Sequence, residues 1–304
     1  MLNRVLEICE ENRYLSLNRG FLVVKHENEV LGQVPLDDIG VLLISSQSAS
    51  FSKNILNALA ERNCITVLCG NNYNPRSLII PIVSNCLQSK IIKNQITASE
   101  PLKKRIWQQL VIKKIKNQAL TLDYCHINST KLNLIATTVK SGDADNREAY
   151  AAKLYWQSLF GKDFKRDREA PGINSLLNYG YAIIRSAMAR SIVCAGLMPA
   201  LGLHHENNLN PFCLVDDMME IYRPIVDLFV YNITRGGEST LNPETKRMLA
   251  NLLLVKVQFN EENTQLVQSM HYLANSYVKA LEFKKPVIEL PVWEGNKDGI
   301  TIIE

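Results

Sequence analysis

The feature that most constrains this fold is a change of hydrophobic period near residue 85. Before it, β-branched or alternating runs are short and separated by turn-forming residues, which predicts strands at 14–18, 21–25, 29–34 and 41–46. After it, apolar residues recur every three or four positions along much longer segments, which predicts amphipathic helices. The chain is therefore predicted to be an α+β protein whose strands and helices are segregated along the sequence.

The two predicted parts differ in size. The first also contains a predicted helix over 52–61, capped by its first serine, and a strand over 64–69. We expect a small β-rich N-terminal domain (1–85), a larger all-α domain carrying the candidate catalytic residues (86–285) and an irregular C-terminal tail (286–304). No strand is expected in the all-α domain, whose predicted helices cover about 102–122, 129–141, 146–160, 173–196, 213–231, 243–257 and 264–282.

Composition excludes several classes of protein. A hydrophobic content of 46% and a mean hydropathy of −0.07 are typical of a globular chain with a substantial core. The charged N-terminus lacks the apolar stretch of a signal peptide, and the seven cysteines include no CxxC pair, so we expect a cytoplasmic, reduced protein without a cysteine zinc site. A net charge of +4 permits nucleic-acid binding without requiring it.

Acidic and histidine residues suggest where chemistry could occur. Glu148 lies in the first turn of a predicted helix that Asp145 or Asn146 could cap; this position also suits any acid that stabilises the helix dipole. Two adjacent histidines, His204 and His205, follow a glycine-containing turn. Imidazole is a good metal ligand near neutral pH, and adjacent side chains point in different directions, so one of the two should enter a site.

A second acidic group lies in the segment CLVDDMMEIYRP (213–224). On a helix, Asp217 and Glu220 share a face at i and i+3, and Asp216 and Glu220 are neighbours at i and i+4. Adjacent carboxylates repel one another unless a cation neutralises them, which favours a metal site. The alternative is that these acids form a solvated face of the helix. Oxygen ligands with one imidazole suit Mg²⁺ or Mn²⁺ better than a thiolate-binding metal.

Basic and polar residues surround these acids in the sequence. Such groups beside a carboxylate–metal cluster would suit a phosphodiester substrate, because they bind non-bridging oxygens. The alternative for Arg223 is a simple helix-surface pair with Glu220 or Asp227. The candidate DNA-binding residues are Lys162, Lys165, Arg166, Arg168, Asn174, Asn178, Tyr179, Arg185 and Arg223.

Taken in order, these segments resemble the CRISPR-associated endonuclease/integrase family, the catalytic subunit of the spacer-acquisition complex. The motifs are a helix-initial glutamate (Glu148), N-x-x-L-N-Y-G-Y (174–181), G-L-x-P-x-L-G-x-x-H (196–205) and D-x-x-E (217–220), followed by a basic residue and proline. The resemblance covers essentially the whole chain. It is greatest to members from systems with a single large RNA-guided effector nuclease.

This resemblance implies both a site and an activity. Glu148, His205 and Glu220 would be the catalytic metal ligands, Asp217 would be a fourth metal ligand, and the cofactor would be Mg²⁺ or Mn²⁺. The 3′-OH ends of a short duplex DNA would attack repeat phosphodiesters in a transesterification, so that new spacers enter the CRISPR array. The implied partners are duplex DNA, a second copy of the chain, a small ferredoxin-like adaptation protein, the effector nuclease and an accessory adaptation subunit.

Two other functions remain compatible with these residues. A plain metal-dependent endonuclease acting on branched DNA would use the same ligands. A non-catalytic DNA-binding scaffold would not need them. The roles of His204 and Asp216 are left open at this point.

Overall fold

The structure is a computed structural model, which describes residues 4–70, 75–81 and 85–293. Its N-terminal part contains eight strands and one helix among these residues. The strands are β1 Arg4–Ile8, β2 Arg13–Asn18, β3 Phe21–His26, β4 Glu29–Pro35, β5 Ile39–Ile44, β6 Ser50–Phe51, β7 Ile65–Cys69 and β8 Pro75–Ile79. Helix α1 (Lys53–Glu61) begins after Ser52, whose side chain accepts a hydrogen bond from the Ile55 amide as predicted for its N-cap.

The strands form two four-stranded sheets. One has the order β1-β5-β7-β8, with parallel pairs except for the antiparallel pair β7–β8. The other has the order β4-β3-β2-β6, with two antiparallel hairpin pairs and a short parallel pair between β2 and β6.

Strand β5 (IGVLLI) is buried along its whole length, as expected for a central strand covered on both faces. Successive side chains alternate between those faces. Leu42 and Ile44 pack in a small core with residues of the second sheet and α1, whereas Val41 and Leu43 belong to the large core formed by the helices. The large core therefore crosses the predicted domain boundary at residue 85.

The second part of the chain is mainly helical. Its long helix α3 lies between the segments that carry the candidate ligands. The helices are α2 Gln88–Ile96, α3 Glu100–Tyr124, α4 Thr130–Thr137, α5 Arg147–Phe160, α6 Ile173–Cys194, α7 Cys213–Met219, α8 Arg223–Arg235, α9 Pro243–Ala250 and α10 Leu266–Phe283. A 3₁₀ turn, Glu220–Tyr222, joins α7 to α8.

The predicted α+β class, with a β-rich part followed by a helical part, is confirmed. The prediction that the second part has no strands is wrong, because β9 (Lys256–Phe259) and β10 (Glu262–Gln265) pair as an antiparallel hairpin. Its turn residues Asn260 and Glu261 both have positive φ, the geometry of tight hairpin turns. Strands β1 and β6 and helix α2 were not predicted.

The C-terminal tail is irregular up to residue 293, and the rest of it lies outside the described residues. Its Trp293 is nevertheless buried, and Val292 forms an isolated antiparallel bridge with Gln258 of β9. All seven cysteines are unpaired thiols. None of the helices in the described ranges combines the length and apolarity that crossing a bilayer requires.

Candidate metal centre

Glu148 is positioned by the start of α5. The predicted cap is wrong in detail: Asn146 adopts a left-handed conformation without a side-chain cap, and Asp145 pairs with Lys140. Instead Asp143 accepts hydrogen bonds from the backbone amides of Arg147 at 2.8 Å and Glu148 at 3.0 Å. A buried carboxylate thus satisfies the first turn of the helix that presents Glu148.

Glu220 lies at the break between α7 and α8. Pro224 has no amide to donate to the Glu220 carbonyl four residues earlier, so a regular helix cannot continue through this point. The Arg223 amide donates to that carbonyl instead, closing the 3₁₀ turn. The Glu220 side chain is only 7% exposed and faces α3 rather than solvent.

Glu148 and Glu220 converge on one cation, the ammonium of Lys114 on α3. Lys114 Nζ lies 2.5 Å from Glu148 Oε1 and 2.5 Å from Glu220 Oε2. Burial alone would raise the pKa of Glu220, but Arg223, 3.1 Å from its other oxygen, and Lys114 outweigh that effect and lower it. Burial alone would lower the pKa of Lys114, but the charges of Glu220 and Glu148 outweigh that effect and raise it.

His205 is held by Asp217. The Asp217 carboxylate is completely buried and contacts His205 Nδ1, while its oxygens accept hydrogen bonds from the amides of Leu203 at 2.6 Å and His204 at 3.0 Å. The hydrogen bond to Asp217 raises the pKa of His205. With Nδ1 engaged, Nε2 is the ring nitrogen left to act as a ligand, as in carboxylate–histidine–metal arrangements. Asp217 is therefore better placed to orient the histidine than to bind a metal.

The loop that carries His205 is fixed from several sides. At Gly202, an added Cβ would lie 2.4 Å from the His205 backbone oxygen, so only glycine fits there. Buried Gln95 of α2 donates to the carbonyls of Met198 at 3.0 Å and Leu201 at 2.9 Å. The ring of His204 stacks on Trp107 with 4.6 Å between centroids, which gives this histidine a packing role, whereas the charges of Glu220 and Glu148 help to raise the pKa of His205.

Asp216 also has a defined contact, with Arg185 of α6. The guanidinium reaches both carboxylate oxygens, at 2.6 Å and 3.0 Å, and Asn210 donates to one of them at 2.7 Å. Burial would raise the pKa of Asp216, but the hydrogen bond from Arg185 outweighs it and the pKa is lowered. This bidentate pair ties α6 to the start of α7.

Behind Glu220, Asp227 forms a second buried cluster. It accepts hydrogen bonds from the hydroxyls of Tyr155, at 2.9 Å, and Tyr181. Burial raises the pKa of Asp227 to about 7, although both hydroxyls oppose the shift. The guanidinium of Arg223 lies 5.1 Å from the centroid of the Tyr181 ring, and that of Arg166 lies 5.3 Å from it, so the cluster also supports the arginine beside Glu220.

The predicted DNA-binding residues divide into two groups. Lys162, Lys165 and Arg168 are exposed and available to a ligand. The prediction for Tyr179 needs correction, because this side chain is buried and its hydroxyl bonds to Glu7 of β1.

The remaining members of that set are occupied within the fold. Asn174 is also buried, which corrects its assignment to a DNA surface, and it shares the guanidinium of Arg166 with Asn178 at 2.9 Å and 2.6 Å. Arg185 and Arg223 are partly exposed but paired with acids. The segment 165–168 is thereby fastened to α6.

Sequence reasoning missed Lys114, the residue that links the two glutamates. A signal was present: Ile106, Leu110 and Lys114 follow one another at intervals of four, which places the lysine on the buried face of α3. What the sequence could not give is the position of α5 and the 3₁₀ turn relative to that face.

The donor chemistry fits a divalent cation. Two carboxylates already share a cationic partner, and both help to raise the pKa of the nearby His205 imidazole; two carboxylates and one imidazole are a combination that suits Mg²⁺ or Mn²⁺. In the present arrangement, the described residues include no three His, Cys, Asp or Glu side chains drawn together around one metal position.

Comparison with solved structures shows which fold this is. The chain resembles a casposase bound to integration product, with a TM-score of 0.78 at 20% identity over 93% of this chain and 91% of that one. It also resembles TM1797, a CAS1 protein from Thermotoga maritima, with a TM-score of 0.74 at 16% identity over 92% and 97%. At these identities the similarity establishes the fold.

Sequence comparison then gives the family. Residues 6–248 match the family model described as CRISPR associated protein Cas1. The CRISPR-associated endonuclease Cas1 of Neisseria meningitidis serogroup C is 37% identical over 86% of this chain and 87% of its own length. A CRISPR-associated endonuclease Cas1 of Francisella tularensis subsp. novicida is 29% identical over 83% and 85%. The chain belongs to the Cas1 family, and the resemblance inferred from its motifs is confirmed.

Proposed function

We propose that this chain is the metal-dependent DNA integrase of CRISPR spacer acquisition. It would join short duplex DNA to a repeat by attack of a 3′-OH on a repeat phosphodiester, with the reverse or hydrolytic reaction accounting for endonuclease activity. The observation that carries the proposal is the convergence of Glu148 and Glu220 on one cationic position beside His205. Two relatives named as endonucleases support nuclease chemistry, and the casposase of similar fold, bound to its integration product, supports joining chemistry.

Glu148, His205 and Glu220 would hold Mg²⁺ or Mn²⁺. When bound, such a cation acidifies the attacking hydroxyl and stabilises the departing oxygen. Asp217 keeps the His205 ring in one orientation through Nδ1, and Arg223 offsets the charge of Glu220. The exposed Lys162, Lys165 and Arg168 would hold the DNA backbone without reading base sequence.

The partners are part of the same proposal. The chain also resembles part of a Cas6-RT-Cas1–Cas2 complex, with a TM-score of 0.73 at 20% identity over 94% of this chain and 35% of that one. We expect the chain to act as a homodimer with a small ferredoxin-like adaptation protein, and with duplex DNA as substrate. The effector nuclease and an accessory adaptation subunit are expected to join this assembly.

A strand-transfer assay tests the proposal. A labelled duplex with 3′-OH ends is incubated with a supercoiled repeat-bearing plasmid, with and without the small partner, in Mg²⁺, Mn²⁺ or EDTA. Label joined to plasmid, abolished by EDTA and by Glu220→Gln but retained in the exposed control Glu262→Gln, is the expected result. Plasmid cleavage without joining would identify a plain endonuclease, and DNA binding without either product a scaffold; both results refute the proposal.

A further inference from the structure

Lys114 is the only side chain in the described ranges whose cationic group contacts both Glu148 and Glu220. Its side chain is 10% exposed, and that of Glu220 is 7% exposed. The three residues come from separate elements, α3, α5 and the 3₁₀ turn. The ammonium is therefore the point at which these elements are joined electrostatically.

A cation at this point is needed to keep the two carboxylates together. Carboxylates that share a partly buried site repel one another, and the repulsion grows as water is excluded. Arg223 contacts Oε1 of Glu220 at 3.1 Å, whereas Lys114 contacts Oε2 of Glu220 and Oε1 of Glu148, so Lys114 is the cation that the two carboxylates share.

A metal ion held by Glu148 and Glu220 would compete with the ammonium for these carboxylate oxygens. Mg²⁺ binds carboxylate oxygens at about 2.1 Å, and these oxygens already lie 2.5 Å from Lys114 Nζ. Two cations cannot occupy the same point between the same two oxygens, because both steric overlap and like-charge repulsion oppose it. Lysine can vacate the point, since its charge is carried on a flexible four-carbon chain.

We propose that Lys114 is a positioning residue that reserves the metal site, holding Glu148 and Glu220 together in the metal-free protein and giving up that position when a divalent cation binds. The inference rests on the proposed function, because it takes those glutamates to be metal ligands. It makes metal binding an exchange of cations at a preassembled pair of carboxylates. Lys114 therefore stabilises the metal-free chain and weakens the affinity for metal.

The opposite signs of these two effects give the test. Full-length chain is stripped with a chelator, and Mn²⁺ binding without DNA is measured by calorimetry for wild type, Lys114→Met and Lys114→Gln. We expect the dissociation constant for Mn²⁺ to fall about tenfold in the neutral variants, which corresponds to about 1.4 kcal/mol. We also expect the melting temperature of the metal-free variants to fall, and Mn²⁺ to raise it by more than in wild type.

Lys114→Gln keeps a hydrogen-bond donor for the carboxylates, so it serves if Lys114→Met does not fold. Lys116→Met, an exposed lysine on the same helix, is the matched control and should change neither quantity. If Lys114 had only a structural role, replacing it would let the two carboxylates move apart, and the neutral variants would bind Mn²⁺ more weakly than wild type. Unchanged or weaker binding overturns the inference.

Glu220→Gln separates this inference from the function on which it rests. If it abolishes Mn²⁺ binding while Lys114→Gln fails to strengthen it, the metal site stands and the role of Lys114 is refuted. If Glu220→Gln leaves Mn²⁺ binding intact, the proposed metal site and the role of Lys114 are both refuted.

Discussion

Asp227 should make the stability of this chain fall as pH rises through the neutral range. Its side chain is 1% exposed, and burial raises its pKa to about 7 from an ordinary value of 3.8. Between these values the folded chain binds more protons than the unfolded chain, so the free energy of unfolding falls as the pH rises. The stabilising effect of the neutral acid is fully present below pH 3.8 and is lost by the time the pH passes 7.

The size of the effect follows from the two pKa values. A shift of this size corresponds to about 4 kcal/mol in total, of which about 2.5 kcal/mol falls between pH 5 and pH 8. Asp227→Asn removes the titrating proton while keeping a polar side chain between the two tyrosine hydroxyls. The stability of wild type minus that of the variant should therefore decrease by about 2.5 kcal/mol from pH 5 to pH 8.

Urea unfolding followed by tryptophan fluorescence measures this difference at each pH. Asp163→Asn, at an exposed aspartate, is the control. Titrations elsewhere in the chain cancel when either variant is compared with wild type, so the difference between wild type and Asp163→Asn should not change in this way with pH. A difference between wild type and Asp227→Asn that stays constant to within about 0.5 kcal/mol over this range would refute the raised pKa.

Three further outcomes are expected. Asp217→Asn should lower the free energy of unfolding by about 3 kcal/mol in urea titrations, because buried loop amides lose a charged acceptor; no loss would contradict its role in holding the loop. Gly202→Ala should lower the melting temperature and weaken Mn²⁺ binding, since its Cβ would meet a backbone oxygen at 2.4 Å, whereas Gly32→Ala has open space and should do neither. Arg168→Ala should reduce the salt dependence of DNA binding, measured by fluorescence anisotropy, by about one unit of slope, while the buried Tyr179→Phe leaves DNA affinity unchanged.

The long helices and central strands were predictable because each buries one continuous apolar pattern. Helix α3 was predicted at 102–122 and spans Glu100–Tyr124. The β9–β10 hairpin was missed although Val257 and Phe259 alternate with polar residues, because four residues are too few to outweigh the helical patterns on either side. Short elements of this kind are fixed by pairing and packing rather than by their own sequence.

At the candidate site, too, some features could be predicted from the sequence and others depend on tertiary contacts. The resemblance of the motifs predicted Glu148, His205 and Glu220 as metal ligands, and the structure brings the two glutamates to one cation. The spacing could not reveal Asp143 as the cap of α5, since three residues, including the left-handed Asn146, lie between it and the helix start. Contacts between elements distant in sequence depend on the tertiary fold, and those contacts decide which polar groups face solvent.

The two-sided burial of β5 has a mechanical consequence for any assembly of this protein. Because Val41 and Leu43 pack with the helices while Leu42 and Ile44 pack with the second sheet, neither side can rotate without separating apolar surfaces. The hydroxyl of Tyr179 on α6 bonds to Glu7 of β1, which adds a polar tie across the same junction. A partner bound to the N-terminal sheets would therefore be held at a fixed angle and distance relative to the carboxylates of the helical part.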